Sequence, residues 1–316
     1  MIPKSYEKLP LVTIGIPTYN DQGYIALAIN DLLNQDYQNI EIIISDNCST
    51  DNTENICRQF FEHNKKIKYV RQSKNIGPQM NFKYLWDLSG GQYFMWAASD
   101  DRWDSQFVST LVSALEGDAK SAVAFCPYDE IDECGATLKS NLRFDFGGKS
   151  SLKRIAKFNW EASPRRDAFF YALFNKSKII DLKIRKWWWI NRHIPLNCGY
   201  PILSHILASG DYKFSDVGRS LWFNRIHINS KPRHSMEFSG RPILSYAAFI
   251  LRKLNQLYDS TIAINRGGST SEAFTIFPIL LLRFLYDCAN QTYLYARLFV
   301  LLIYVKLKFL RKNQND

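Results

Sequence analysis

The chain has 316 residues and a formal net charge of +10, with 46% hydrophobic and 15% aromatic residues. That apolar content excludes a disordered chain, and the length admits one large domain or a domain with an appendage. The positive balance fits nucleic acid, an anionic membrane surface or an anionic small substrate, but no Lys/Arg tract is dense and no nucleic-acid recognition motif occurs, so nucleic acid is set aside. Cys48, Cys57, Cys126, Cys134, Cys198 and Cys288 show no CxxC spacing, which argues against zinc. Met1-Ile2-Pro3-Lys4-Ser5 lacks an apolar signal core, so free thiols in a reducing cytoplasm are the expectation.

In chain order, Leu11 to Ile16 is predicted as a strand that stops at Pro17. Ile25, Ala28, Ile29, Leu32 and Leu33 give residues 22–34 a helical period, and Ile40 to Ser45 is a second strand. Ser49-Thr50-Asp51 supplies cap chemistry for a helix through Ile56 and Phe60. Lys66 to Val70 is a third strand, Gln79 to Leu88 a helix, and Tyr93 to Ala98 a buried strand preceded by Gly90-Gly91. A helix from Ser105 to Leu115 and a strand from Ser121 to Phe125 follow. Such βα repetition predicts an α/β fold, a mainly parallel sheet with helices on both faces. Beyond about residue 130 the regularity fades, with strand character returning at Val217 to Ile228 and a helical, apolar region from about Pro242.

Polar groups gather where these strands end, which is where open α/β sheets bind ligands. Pro17-Thr18-Tyr19-Asn20 ends the first, offering a hydroxyl and an aromatic face to a base or ribose; the plain alternative is a turn. Asp46 ends the second, placed to accept a hydrogen bond from a base or ribose, while Asp51 reads as a cap. Arg71, Lys74, Asn75 and Gly77 follow the third, where cations and a close backbone approach suit a diphosphate; a solvated basic loop is the alternative. Asp100-Asp101 follows the fourth. Adjacent carboxylates repel, and a hard divalent ion carrying substrate phosphates is the common remedy. Gly147-Gly148-Lys149-Ser150 is no P-loop, because the position five before the Gly-Lys pair holds Arg143.

Taken together, IPTYN, SDNCSTDNT, RQSKNIG and SDD, each after its strand, resemble the family 2 glycosyltransferases, which have the GT-A fold and use nucleotide sugars. The resemblance runs from about Leu11 to Phe125, with a weaker echo to about residue 230. It implies a nucleoside diphosphate sugar donor, a glycan or lipid-linked acceptor and a place in cell-surface polysaccharide synthesis. It also implies that Thr18, Tyr19 and Asp46 hold the nucleoside, that Asp100 binds Mn²⁺ or Mg²⁺ on the diphosphate, and that Asp101 supports the sugar or the metal shell. Arg225-Ile226-His227 resembles a basic-x-His element of related domains, which implies Arg225 as a diphosphate contact and His227 as a metal ligand; a strand-end histidine on the surface is the alternative.

Two departures from the family stand out. Ala98 replaces the first acid of the Asp-any-Asp motif. Inversion also calls for a carboxylate base on the acceptor hydroxyl. Counting back from the helix-closing Gly210, the family's base position is Gly199, so Asp167, His193 and His205 are carried as candidates. That vacancy motivates a second reading, a catalytically degenerate nucleotide-sugar-binding scaffold in a glycan-assembly complex.

The expected division is a catalytic domain over residues 1–235 and a helical, apolar and basic extension over 236–316. From Glu237 onward there are 10 Lys/Arg and 5 Asp/Glu. Phe274 to Leu310 is strongly apolar but interrupted by Arg283, Asp287, Arg297 and Lys306, short of an uninterrupted span. It is read either as buried in the domain or as an interfacial pair of helices, with Lys306, Lys308, Arg311 and Lys312 meeting anionic headgroups on the cytoplasmic face of a membrane.

Overall fold

The computed structural model describes residues 9–143, 154, 157, 169–179, 203, 206–207, 213–227, 278, 281, 282 and 285. The first half alternates β1 (Val12–Thr18), α1 (Ile25–Leu33), β2 (Ile40–Asp46), α2 (Thr53–His63), β3 (Ile67–Arg71), α3 (Pro78–Leu88) and β4 (Tyr93–Trp96). There follow β5 (Arg102–Trp103), α4 (Phe107–Glu116), β6 (Ser121–Phe125), β7 (Tyr128–Ile131), β8 (Thr137–Leu142), β9 (Leu173–Asn175), β10 (Lys213–Asp216) and β11 (Trp222–Arg225).

Seven strands form the main sheet in the order β10-β6-β9-β4-β1-β2-β3. β1, β2, β3 and β4 are mutually parallel, as are β6 and β10, while β9 runs antiparallel to both β4 and β6. A second sheet, β5-β11-β7-β8, stands beyond the C-terminal end of β4.

Side-chain alternation divides the core into two layers. Tyr93 and Met95 of β4, with Ile42 and Ile44 of β2, face Ile25, Ile29 and Leu32 of α1, Cys57 of α2 and Phe107 and Leu111 of α4. Phe94 and Trp96, with Ile43, face Leu85 and Trp86 of α3 together with Phe170 and Phe174. In that second layer Trp96 stacks on Phe170 at 4.6 Å and on Trp86 at 5.5 Å. This is the α/β arrangement, with helices on both faces, that the sequence predicts.

Several predicted boundaries move. β1 continues through Pro17 to Thr18, because Gly15 and Pro17 direct their backbone toward β4, whose ladder ends at the Gly15–Trp96 pair. The missing Pro17 N–H therefore leaves no partner unpaired, and β2 goes on pairing as far as Thr18–Asp46. β5, β7, β8 and β9 were not predicted. β10 was not predicted either; it ends at Asp216, just before the expected strand, whose described residues 217–227 contain a turn at Gly218 with φ 82° and then β11. Before Gly210, read from sequence as closing a helix, the described residues 203, 206 and 207 are helical.

At the N-terminal edge of the sheet Gly91 allows β1 and β4 to close. A Cβ there would come within 2.7 Å of the Leu11 and Tyr93 carbonyl oxygens and of Thr13 Oγ1. Glu41 anchors the same edge, accepting from Thr13 Oγ1 at 2.6 Å and from Lys68 Nζ at 2.7 Å, while Thr13 Oγ1 accepts from Gly91 N.

Candidate functional site

The C-terminal ends of β1, β2 and β3 carry two loops stitched to each other. Asn20 N donates to Ser49 Oγ, Thr50 N to Asn20 Oδ1 and Asp21 N to Thr53 Oγ1, all within 3.0 Å. Asn20 and Cys48 take left-handed backbone (φ 57° and 64°), which lets the two loops turn toward each other. Asn47 then ties in the third loop, donating to Asn75 Oδ1 and accepting from Ile76 N. Gly77 (φ 81°) is the N-cap of α3, and no atom lies within 4 Å of the place its Cβ would occupy. Pro17 and Thr18, the last residues of β1, and Tyr19, Lys74, Asn75 and Gly77 of the loops thus lie at one end of the sheet, with Thr18 buried and Lys74 and Asn75 exposed.

Asp46 belongs beneath that cluster. It is fully buried, with Oδ1 accepting from Ser49 N and Oδ2 from the Tyr69 hydroxyl, both at 2.8 Å. Asp51, read as a cap, accepts from Thr53 N at 3.0 Å.

Arg71 departs from the expected diphosphate contact. Its Nε donates to Glu54 at 2.6 Å and its Nη2 to the Ser49 carbonyl at 2.8 Å, while Nη1 meets Cys48 Sγ. One bond from each nitrogen ties the guanidinium to α2 and to the loop after β2, and 28% of the side chain stays exposed.

Beyond β4 lies a second cluster. Asp100 Oδ2 is 3.0 Å from His227 Nε2, and the aspartate side chain keeps 29% of its surface while the imidazole keeps 7%. Asp101 was expected to support the sugar or the metal shell, and its side chain faces protein donors instead. It is buried, its oxygens accepting from Trp222 Nε1 at 2.7 Å and Arg225 N at 2.8 Å, so it fastens β11 under Asp100. Burial, then the Asp100 charge, pushes the Asp101 carboxyl well above the usual carboxylate range.

Arg225 is likewise turned inward. Its Nε donates to the Asp100 carbonyl and its Nη1 to the carbonyls of Asp132 and Glu133. The expected donor contact from Arg225 is replaced by a brace between the acidic pair and the β7–β8 turn. The resemblance of Arg225-Ile226-His227 to a basic-x-His element suggested the former; three backbone acceptors within 3.0 Å account for the latter.

Two residues of this cluster were not singled out from sequence. Asp21 accepts from the hydroxyls of Ser99 and of Thr18, and burial followed by the neighbouring Asp100 charge raises its pKa despite those bonds. Its signal was available: an acid three residues past Thr18, just beyond a strand end. Tyr24 touches both Arg225 and His227, and nothing in its helical context announces that. Asp167, His193, His205 and Gly199 lie outside the described residues.

Among the described residues no group of three or more His, Cys, Asp and Glu converges as a metal cage. The Asp100–His227 pair fits a different design, one carboxylate and one imidazole holding an ion whose remaining ligands come from substrate oxygens and water. That donor set suits Mn²⁺ and, less well, Mg²⁺.

Comparison with known proteins agrees with this architecture. TarS from S. aureus (residues 1–349) superposes with a TM-score of 0.55 at 12% identity, covering 91% of each chain. The same protein in complex with UDP-GlcNAc gives 0.52 at 15% identity, covering 81% of this chain and 72% of that one. These likenesses concern the fold. In sequence, the chain is 29% identical over 180 residues to a GalNAc(5)-diNAcBac-PP-undecaprenol β-1,3-glucosyltransferase of Campylobacter jejuni, covering 54% of this chain and 53% of that one. It is 38% identical over 112 residues to abequosyltransferase RfbV of Salmonella typhimurium, covering 34% of each. The chain spans about half or less of the length of these relatives. The profile described as Glycosyl transferase family 2 matches residues 13–182, more than half of the sequence, and the chain belongs to that family.

Proposed function

We propose that the chain transfers a sugar, with inversion, from a nucleoside diphosphate sugar to a glycan or lipid-linked acceptor in cell-surface polysaccharide synthesis. The observation that carries this reading is the Asp100–His227 pair, 3.0 Å apart, at the edge of the sheet from which the loops after β1, β2 and β3 also rise. UDP and UDP-GlcNAc are ligands of the structurally similar TarS, and the Campylobacter relative is named for a lipid-linked substrate.

In this reading Thr18 and Tyr19 receive the nucleoside, while Asp46 acts indirectly by fixing the loop above it. Lys74 and the Asn75–Gly77 backbone face the diphosphate from the loop before α3. Asp100 and His227 would hold Mn²⁺ or Mg²⁺, which when bound supplies positive charge to the leaving diphosphate. Asp101 and Arg225 keep Asp100 at the rim. The acceptor hydroxyl attacks from the opposite face and gives its proton to a base, for which Asp167, His193 and His205 are the candidates. Residues 1–235 form the catalytic domain in this scheme and 236–316 an accessory region.

A place on an anionic membrane surface goes with a lipid-linked acceptor. Leu282 and Leu285, helical residues of the C-terminal region, are 59% and 52% exposed, which supports surface attachment. Among the described residues no helix is long and apolar enough to cross a membrane.

The test is a screen of UDP-, GDP- and dTDP-sugars for nucleoside diphosphate release with and without Mn²⁺, alongside Asp100→Asn. Metal-dependent release that disappears in the variant supports the proposal. Binding of a donor with no turnover against any lipid-linked acceptor would favour the scaffold reading that Gly199 suggests.

A further inference from the structure

We infer that Asp21 is a positioning residue: through the Ser99 hydroxyl its carboxylate holds Asp100 in register with the ends of β1 and β2. The inference rests on the reading of this edge as the donor site, with the nucleoside near Thr18 and Tyr19 and the diphosphate near Asp100. An acid in the turn that enters a helix ordinarily serves that turn, accepting from nearby backbone N–H groups. Asp21 does only half of this. Its carbonyl accepts from Tyr24 N and Ile25 N at 3.1 and 3.0 Å, which starts α1. Its side chain turns the other way: Oδ2 accepts from the Thr18 hydroxyl at 3.3 Å and from the Ser99 hydroxyl, 78 positions along the chain. The Tyr19 N–H faces the same carboxylate.

The need for such a bond follows from where the ladder stops. Past the Gly15–Trp96 pair, Ala97 N still donates to the Gly15 carbonyl at 2.9 Å. Thr18 and Asp100 each lie three residues further on. By then β1 pairs with β2, as far as Thr18–Asp46, while the chain bearing Asp100 is taken up by β11 through the bonds of Asp101 to Trp222 and Arg225. One end of the site is thus fastened to the main sheet and the other to the second sheet. Asp21 ties them together across the gap.

The anchor is itself fixed. Asp21 N donates to Thr53 Oγ1 at 2.9 Å, on the first residue of α2, and its carbonyl is committed to α1. Thr18 and Ser99 are 2% and 5% exposed, so water competes little for their hydroxyl protons. A ligand that spans both ends has a set distance between its base and its phosphates, and it gains from their register. A fragment that touches one end does not. That difference separates positioning from a contribution to folding alone.

The experiment titrates the full chain, Ser99→Ala, Asp21→Ala and the Ser99→Ala/Asp21→Ala double variant by isothermal calorimetry. UDP, GDP and dTDP with Mn²⁺ are the spanning probes. Uridine, guanosine and thymidine, and pyrophosphate with Mn²⁺, are the fragments. Ser99→Ala leaves every charge in place. It is expected to weaken the best-bound nucleoside diphosphate about 10-fold, the scale of a lost hydrogen bond to a charged group, and to change the fragments less than about twofold. In the Asp21→Ala background the same substitution should add less than about twofold, because the bond is already gone. Thermal melts check folding, and Ser99→Cys, of similar shape but a weak donor, is the second variant. Unchanged nucleoside diphosphate affinity in both Ser99 variants, an equal loss for the fragments, or an additive loss in the double variant overturns the positioning role and leaves the donor-site reading standing. Failure of the wild type to bind any of the three diphosphates overturns both.

Discussion

At the N-terminal ends of its strands the sheet surrounds Glu41 with donors, whereas at the C-terminal ends it crowds Asp21, Asp100 and Asp101 together. Burial alone would raise the Glu41 pKa, but Lys68, Thr13 and the Gly90 N–H outweigh it and hold the carboxyl below its usual range. At the opposite end burial and mutual repulsion win, and Asp21 and Asp101 are both raised. One edge is electrostatically settled. The other holds carboxyls where burial and one another's charge disfavour ionisation, a strain that a bound cation would relieve.

The contrast can be broken most forcefully at Asp100. Asp100→Asn is expected to lower nucleoside diphosphate release by about 100-fold or more, the scale of losing one charge-stabilising group at a reacting centre. The thermal midpoint should hardly move. Activity within twofold of wild type would remove the site from this edge.

Glu41→Gln should do the reverse, leaving turnover intact while costing about 1–2 kcal/mol in urea denaturation. Because the folded pKa of Glu41 is depressed, its ionic contribution is complete above the ordinary value of about 4.3. It fades as pH falls through the folded value, so the wild-type and variant stabilities should converge in acid. A gap that persists unchanged at low pH would contradict the pairing with Lys68.

A smaller effect is expected at Asp21. Its folded pKa is raised, so its stability contribution is best at low pH and declines as pH climbs from the unfolded value through the folded one. At neutral pH Asp21→Asn should therefore raise the melting temperature by about 2 °C, even as activity falls. A lower melting temperature would show that the bonds to Ser99 and Thr18 matter more than the buried charge.

The finest probe is Cys57, on the buried face of α2. Burial, together with the charges of Asp46, Asp21 and Asp51, pushes its thiol up to about 12. Iodoacetamide at pH 8, followed by peptide mass spectrometry, should label the exposed Cys134 in the native protein and Cys57 only after unfolding. Equal labelling rates would mean that this end of the sheet is looser and less negative than its geometry implies.

The first half of the fold was legible because β1, β2 and β4 are buried on both faces and the helices carry an apolar stripe, so local pattern and tertiary position agree. Ser121–Phe125 came out with its predicted bounds. β8 was invisible for the opposite reason: five of its six residues are exposed, and Thr-Leu-Lys-Ser-Asn carries no period. β5 has two residues and β9 three, too short for any pattern. At the site, strand-end spacing pointed to Asp100 and a short motif to His227, and the structure joins them. Arg71 and Arg225 misled because a sequence reveals a cation but not the carbonyls and carboxylates that fold around it.

β9 has a consequence for how the chain is made. It wedges between β4 and β6, yet the ribosome delivers it long after both. Until it emerges, the nascent protein presents an open flank on β4, lined by Phe94 and Trp96, that another copy could zip onto. Chaperone demand during synthesis should therefore peak while residues 97–172 are being translated and subside once Leu173–Asn175 leaves the exit tunnel.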